Sequence, residues 1–509
     1  MSLARTRTVT LTGIHGQVVD VEADAAPGIP GFTLVGLADT AVSEARDRVR
    51  AAIVNVNEKW EPRKVTINLS PAGVRKRGSG FDLALACACL AAFDSLPREP
   101  LAGLVLIGEL GLDGAVRPVR GILPMVLAAV EAGFRQFMVA DGSGREAALV
   151  PGAEVTVVSS LAEAVGVLRG TEPGRSPVTE TATADQDLGP DLCDVSGQAT
   201  PRLAVEVAAA GGHHVFLHGA PGAGKTLLAE RLPGLLPTLD PEASLEVTAV
   251  HSVAGELNPD SPMVVRPPFQ APHHTATPAA LVGGGTGVAR PGAASLAHRG
   301  VLFLDEAPEF SVRALETLRQ PMEKGAVFLA RSESRVRYPA RFQLVMAANP
   351  CPCGRSTGRG IDCTCTPLQK MRYSARLSGP LMDRVDLKVP VLPVSRADLL
   401  DGRGGEPSER VRERVLAARS KAIARFADSP WSVNADVPGM LLRSTFAVHR
   451  DGMALISDEL GRGRLSARGV DRVLRVAWTL ADLAGIEQPR AAEVAGAVSL
   501  RGGGLSWAA

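Results

Sequence analysis

Eight consecutive residues, Gly219-Ala220-Pro221-Gly222-Ala223-Gly224-Lys225-Thr226, fit the pattern G-x-x-x-x-G-K-[ST]. The chemistry such a run supports is the binding of a nucleoside triphosphate. Glycines permit a turn that aims backbone N–H groups at phosphate oxygens, and the N-terminus of a following helix adds a favourable dipole. Lys225 neutralises β/γ charge and Thr226 can ligate Mg²⁺. An apolar strand, His214 to Leu217, precedes the run and a helix, Leu227 to Arg231, follows it, which is the context the pattern needs. The alternative is a chance glycine-rich turn, for which independent-position arithmetic gives roughly 0.01 matches in a chain of this length.

Val301-Leu302-Phe303-Leu304-Asp305-Glu306 is an apolar strand ending in two carboxylates. A central strand of this kind delivers side chains to the C-terminal edge of a parallel sheet. Asp305 is placed to complete the Mg²⁺ shell, and Glu306 to polarise the attacking water as general base. A strand end that merely caps the next helix would look similar. The next matching strand, Phe342 to Ala348, ends at Asn349, whose amide can orient water or touch the γ-phosphate; alone it would be a turn residue.

Cys351-Pro352-Cys353 and Cys363-Thr364-Cys365 form C-x-C, nine residues, C-x-C, with Gly354, Gly358 and Gly360 between them. Four thiolates on a short flexible loop suit a closed tetrahedral Zn²⁺ site that folds a loop too small for its own core. Unligated cysteines or an iron–sulfur cluster stay open, because C-x-C is less diagnostic than C-x-x-C. Cys87, Cys89 and Cys193 lack such company. His273 and His274 adjoin on a loop, where a hydrogen-bonding role outweighs a metal role. Phe328 to Phe342, FLARSESRVRYPARF, reads as a β-hairpin in which Arg331, Arg335, Arg337 and Arg341 surround Tyr338. Such cations follow phosphates without reading bases, and one aromatic can stack on a base. A solvated hairpin in an arginine-rich chain is the plainer reading.

These residues need elements to hold them, and the 509-residue chain is long enough for several domains. Residues 1–169 alternate strands (Val9 to Leu11, Val65 to Leu69, Leu104 to Ile107) with helices (Ala41 to Val54, Phe81 to Phe93), a compact α/β domain. Residues 170–190 are rich in Gly, Pro, Ser, Thr and acidic residues and read as a linker. Residues 191–395 carry the strands above and suit a parallel sheet, with the four-cysteine insert at 351–365. Residues 396–509 show helical periodicity at Glu409 to Phe426, Ala447 to Leu460 and Ser466 to Leu483, a small helical domain. Lys+Arg 55 against Asp+Glu 54 excludes whole-chain polyelectrolyte behaviour, so a nucleic-acid surface would be local. The longest uncharged apolar run, Leu83 to Phe93, is too short to span a membrane. The start, MSLARTRTVTLTG, lacks the apolar core of a secretory signal, which points to a cytoplasmic protein with reduced or metal-bound cysteines.

The P-loop, the Leu-Asp-Glu strand and the strand-terminal Asn349, followed by a helical domain, resemble the AAA+ ATPases. RPPFQAPHHT (Arg266 to Thr275), LVGGG (Leu281 to Gly285), GVLFLDE and LSGPLMDRVDL (Leu377 to Leu387) are similar to the magnesium-chelatase-like branch, specifically the ComM/YifB family, over essentially the whole chain. That resemblance implies a hexameric ring with ATP between subunits and an arginine finger supplied in trans. Arg384, in Met382-Asp383-Arg384, matches the finger position; a surface arginine paired with Asp383 or Asp386 is the alternative. Arg468, in Leu465-Ser466-Ala467-Arg468, matches the start of the lid helix that carries the second sensor, with Arg472 and Arg475 on neighbouring turns. The resemblance also favours zinc at the cysteines, in a structural role.

Arg77-Gly78-Ser79-Gly80-Phe81-Asp82 and GELGLDGAVRPVRGILP (Gly108 to Pro124) resemble the Lon proteolytic domain, of ribosomal S5 domain 2-like fold. That domain needs a serine nucleophile and a lysine base, but the matching positions hold Gly80 and Met125, and Ser79 is displaced by one residue. The resemblance as a whole implies an ATP-driven DNA motor of the branch-migration type. It would act in homologous recombination and natural transformation, bind single-stranded or branched DNA without sequence preference, and have recombination proteins as partners. The alternatives are a chelatase-like ATPase subunit that remodels a protein partner and, less favoured, an ATP-dependent protease.

Overall fold

Leu3–Thr12 (β1) and His15–Ala26 (β2) form a long antiparallel pair that turns at Gly13, whose φ of 67° suits a residue without a side chain. The computed structural model describes residues 3–178, 189–285, 289–330, 335–356, 362–394 and 405–502. Around the pair assemble β3 (Gly31–Val35), β4 (Lys64–Ser70), β5 (Leu104–Ile107), β8 (Gln136–Ala140) and β9 (Glu154–Val158), in the order β3-β4-β2-β1-β5-β8-β9. The short strands β6 (Glu109–Leu110) and β7 (Val116–Arg117) pair separately. The helix Asp82–Ala92 is buried at every position, which its composition of Leu, Ala and Cys after one aspartate permits. It covers one face of the sheet with Val19, Val21 and Ile67; the helix Ile122–Glu131 covers the other with Val9, Val105 and Phe137.

The linker expected at 170–190 begins later. The Val157 N–H donates to the Arg175 carbonyl at 2.8 Å and the Arg175 guanidinium donates to Glu163 at 2.6 Å, so this stretch lies along the β9 edge. The rest of that segment, 179–188, is outside the described residues.

The second sheet is built from β10 (Val215–Gly219), β11 (Phe269–Gln270), β12 (Val301–Leu304), β15 (Gln343–Ala348) and β16 (Leu387–Val391), all in parallel register, in the order β11-β12-β15-β10-β16. Continuous apolar strands suit a sheet covered on both faces. Val215 and Leu217 enter one core and Phe216 the other. β16 is a strand that the sequence reading did not name. Its sequence LKVPV carries a lysine and a proline, which an edge strand tolerates because one side of the ladder is free. β13 (Ala326–Ala330) and β14 (Arg335–Pro339) form the expected hairpin. The helices Ser408–Arg425, Arg450–Gly461, Ala467–Ala484 and Ala491–Gly502 make the lid; Val473, Leu474 and Ala477 share one cluster with Val215 and Leu217.

Lid and sheet are also pinned by a polar network. Buried Asp386 accepts from Arg472 at 3.0 Å and contacts His213 Nδ1 at 3.3 Å, and His213 Nε2 meets Thr479 Oγ1 at 2.8 Å. Burial pushes the Asp386 pKa up, but the His213 hydrogen bond and the Arg472 charge outweigh it and hold the carboxyl below its ordinary range. Next to it the Leu344 N–H donates to His214 Nδ1 at 3.0 Å, which requires a neutral ring, and burial lowers that imidazole from 6.5 to about 4.

The unfolded chain binds this proton between pH 6.5 and 4 while the folded chain does not, so stability falls as pH drops through that window. The full loss is ~3 kcal/mol, at about 1.4 kcal/mol per pKa unit. His214→Asn retains an acceptor near Nδ1 and should flatten that part of a urea-unfolding profile against pH; an unchanged profile would contradict the assignment.

Candidate nucleotide site and its surroundings

Because β12, β15 and β10 are adjacent and parallel, Asp305, Asn349 and the loop after Gly219 emerge at one edge of the sheet. The loop is pressed against its neighbour. A Cβ on Gly219 would lie 2.0 Å from the Val391 carbonyl oxygen, so no larger residue fits. Gly222 and Gly224 take φ of 73° and 94°, turning the backbone before the helix Lys225–Leu235.

The Lys225 side chain, buried behind that turn, donates through its amine to Gly219 O (2.9 Å), Ala220 O (2.8 Å) and Asn349 Oδ1 (3.0 Å). Burial lowers its pKa, and the charges of Asp305 and Glu306 oppose the shift. The Thr226 hydroxyl donates to Asp305 Oδ2 at 2.9 Å, so the two Mg²⁺-ligand candidates already touch. The Glu306 N–H donates to the other Asp305 oxygen at 2.8 Å.

Glu306 itself has φ of 49°, a left-handed conformation that costs energy for a residue with a side chain and swings it out of the strand. Its carboxylate lies 3.4 Å from His274 Nδ1. Sequence reasoning favoured a hydrogen-bonding structural role for His274 over a metal role and missed this partner; no local spacing links positions 274 and 306. Gln198, also missed, donates to Ala223 O at 3.1 Å and borders a cavity of about 530 Å³ with Leu192, Gly197 and Arg202, beside the P-loop.

The two arginines are elsewhere. Arg384 precedes β16, so it lies at the N-terminal edge of the sheet, and β10 between the edges spans about 17 Å at ~3.3 Å per residue. There it pairs with Glu323 and donates to the Pro380 carbonyl, not with Asp383 or Asp386 as the plainer reading had it. Arg468 is on the same side, 3.4 Å from Asp383. Both line a cavity of about 740 Å³ that also holds Arg472, Arg475 and Arg341. Neither has a contact with the P-loop of its own chain among the described residues.

The hairpin departs from expectation in its phase. Along β14, Arg335 and Arg337 are exposed while Val336 and Tyr338 point inward. Tyr338 is fully buried, its hydroxyl donating to Ala289 O at 2.5 Å and its ring against the β1–β2 turn at Gly13, so it has no free face for a base. This corrects its assignment as a stacking residue. Phe328, 39% exposed and directly opposite Arg337 across the ladder, is the aromatic on the outer face, with Lys324 5.7 Å from its ring centroid. Arg341 is also reassigned: past the end of β14, its N–H donates to His298 Nδ1 at 3.0 Å and its side chain faces the arginine cavity. Arg331 lies outside the described residues.

The sulfurs of Cys351, Cys353, Cys363 and Cys365 all lie within 4.8 Å of one another, with separations of 3.4, 3.7 and 3.7 Å among the first three. These are far longer than a disulfide and close to the edge of about 3.8 Å of a tetrahedron with ~2.3 Å metal–sulfur bonds. The donor set therefore fits zinc. The Cys353 thiol is lowered to about 6, first by the backbone N–H of Arg355. Cys87 and Cys89 are by contrast inside the helix Asp82–Ala92, their thiols pushed up to about 12 by burial.

In the N-terminal domain a Cβ on Gly80 would meet methyl groups of Ile107 and Val119 at 3.7 Å, Met125 is buried, and the Ser79 hydroxyl donates to Glu109. Lys76 is buried and donates to the Pro71 carbonyl. No serine–lysine pair forms among these residues.

Family models for magnesium chelatase, subunit ChlI, match residues 191–399, and models for subunit ChlI of Mg-chelatase and for its C-terminal region match 21–143 and 405–501. The chain is 40% identical to the competence protein ComM of Haemophilus influenzae over 506 residues, 97% of each chain. It is 40% identical to YifB of Escherichia coli over 485 residues, 95% of this chain and 94% of that protein. The chain belongs to the ComM/YifB family of magnesium-chelatase-like AAA+ ATPases. An uncharacterized protein of Mycobacterium tuberculosis is 51% identical over 501 residues, 98% of this chain and 99% of that one. The N-terminal region of the present chain is also similar to Lon proteases, at 24% identity over 147 and 194 residues. Among the described residues no helix is long and apolar enough to cross a membrane.

Proposed function

We propose that the chain hydrolyses ATP to drive a ring, a homo-hexamer, along DNA, acting as a branch-migration motor in homologous recombination and in uptake of DNA by transformation. The nucleotide reading rests on Lys225, Thr226, Asp305 and Asn349 meeting at one sheet edge. In it the P-loop backbone binds the phosphates, Thr226 and Asp305 hold Mg²⁺, Glu306 activates water and Asn349 senses the γ-phosphate. The cavity at Gln198 takes the base. Arg384 and Arg468, at the opposite edge, act on the nucleotide of a neighbouring copy, which makes a lone subunit incomplete. Zn²⁺ is held by the four cysteines in a structural role.

The observation that carries DNA as substrate is the outer face of the hairpin, where Arg335, Arg337 and Phe328 stand together. Cations there follow phosphates and one ring stacks on bases, without sequence readout. The hairpin leads through β15 directly to Asn349, so a change at the γ-phosphate has a short covalent path to it. The competence protein ComM among the relatives supports the same reading.

The test is ATP turnover with single-stranded and forked DNA at two salt concentrations. DNA should stimulate the native chain several-fold, less at the higher salt. Arg335→Ala with Arg337→Ala should abolish stimulation while leaving the basal rate; a native rate indifferent to every DNA would leave the second reading, a remodeller of a protein partner.

A further inference from the structure

Asn349, which accepts the hydrogen bond of the Lys225 amine, is two residues from Cys351, the buried member of the four-cysteine cluster. The four-cysteine insert, a small knob at 351–365, touches the nucleotide loop a second time. Gly354, in a turn closed by its N–H to the Cys351 carbonyl at 2.9 Å, lies so close to Pro221 that a Cβ on it would be 2.5 Å from the proline Cγ. A third tie comes from its far end. Cys365 leads into the helix Pro367–Ala375, fixed by a capping box between Thr366 and Gln369, and its buried Tyr373 lies beside the Asn349 backbone. Apart from Cys351, the knob supplies no buried apolar side chain among the described residues 351–356 and 362–366. Four thiols gathered on a segment without a core repel one another once ionised, so their order depends on a shared cation.

We propose that the four-cysteine knob is a metal-dependent brace of the nucleotide loop. With Zn²⁺ held by Cys351, Cys353, Cys363 and Cys365, the knob backbone fixes Pro221 and Asn349; when the cation is lost both relax and nucleotide affinity falls. This rests on the reading of Gly219 to Thr226 as the nucleotide loop. The two sites are then thermodynamically linked, and linkage is reciprocal: occupancy of the nucleotide loop must tighten zinc by the factor that zinc tightens nucleotide.

The experiment uses the full chain. Zinc is counted, then stripped with a chelator, and the protein is returned to Mg²⁺ buffer; the Kd of a fluorescent ATP analogue is measured with and without zinc. In parallel, zinc affinity is measured by competition with a chromogenic chelator, with and without the analogue. One zinc per chain is expected, with a nucleotide Kd about five- to tenfold weaker in the stripped protein and a matching factor on zinc, the lower end of the range usual for coupled sites. Pro221→Ala, which removes the contact without touching a thiol, should keep its zinc while both factors shrink towards one. An unchanged Kd after complete stripping, a native chain that takes no zinc, or full coupling in Pro221→Ala would each overturn the brace. Lys225→Ala serves as the separate control: native-like nucleotide binding in that variant would overturn the loop assignment itself.

Discussion

Arg384→Ala retains ATP binding but turns over about 10³- to 10⁵-fold more slowly, the effect of losing an arginine that stabilises charge on the transferring phosphoryl group. Topology makes this expectation specific. A residue just before β16 sits about 17 Å from the edge where β10 delivers the P-loop, since strands rise ~3.3 Å per residue. An arginine so placed cannot reach the γ-phosphate bound to its own chain, yet it lies with Arg468, Arg472 and Arg475 around one large polar cavity. Its present partner, Glu323, is an exposed carboxylate whose ion pair is easily exchanged for a phosphate. The measurement is kcat beside the Kd for an ATP analogue: a loss confined to kcat supports the role, and a loss confined to Kd contradicts it. Folding is monitored by thermal melting.

Glu306→Gln gives the second large effect, a fall in kcat of about 10² to 10⁴, the usual contribution of a general base. The variant is isosteric, and the Mg²⁺ candidates Thr226 and Asp305 remain hydrogen-bonded to each other, so ATP and Mg²⁺ should bind as before and remain uncleaved. Asp305→Asn should differ by weakening the affinity for Mg²⁺ itself, so that more Mg²⁺ is needed for half-maximal turnover. Single-turnover kinetics with radiolabelled ATP separate the cases. Retained cleavage in Glu306→Gln would move the base elsewhere, with His274, 3.4 Å away, the first group to examine.

Much of the site could be read from sequence because its parts are local. Gly219 to Thr226, the Asp305-Glu306 strand end and Asn349 are each short runs whose place at a sheet edge follows from the apolar strand before them. The four cysteines have the same character. Distant pairings had no such signal: His274 with Glu306, Asp386 with Arg472, Gly354 with Pro221. The hairpin shows a subtler limit. Its strands were legible, but a period of two leaves open which face is inside. The answer came from another domain, since the turn at Gly13 covers Val336 and Tyr338 and leaves Arg335, Arg337 and Phe328 outside. β16 escaped notice because Lys388 and Pro390 interrupt its apolar pattern, and its strand geometry depends on pairing with β10.

In the proposed ring, one chain's nucleotide site is finished by another chain's arginine. Mixing Lys225→Ala subunits with Arg384→Ala subunits tests it directly, since each variant is inactive alone. Random assembly of equal amounts joins an intact P-loop to an intact Arg384 at roughly a quarter of the interfaces of a ring. ATP turnover should therefore reappear in the mixture at a corresponding fraction of the native rate. A mixture as inactive as its components, with assembly verified, would contradict the shared site.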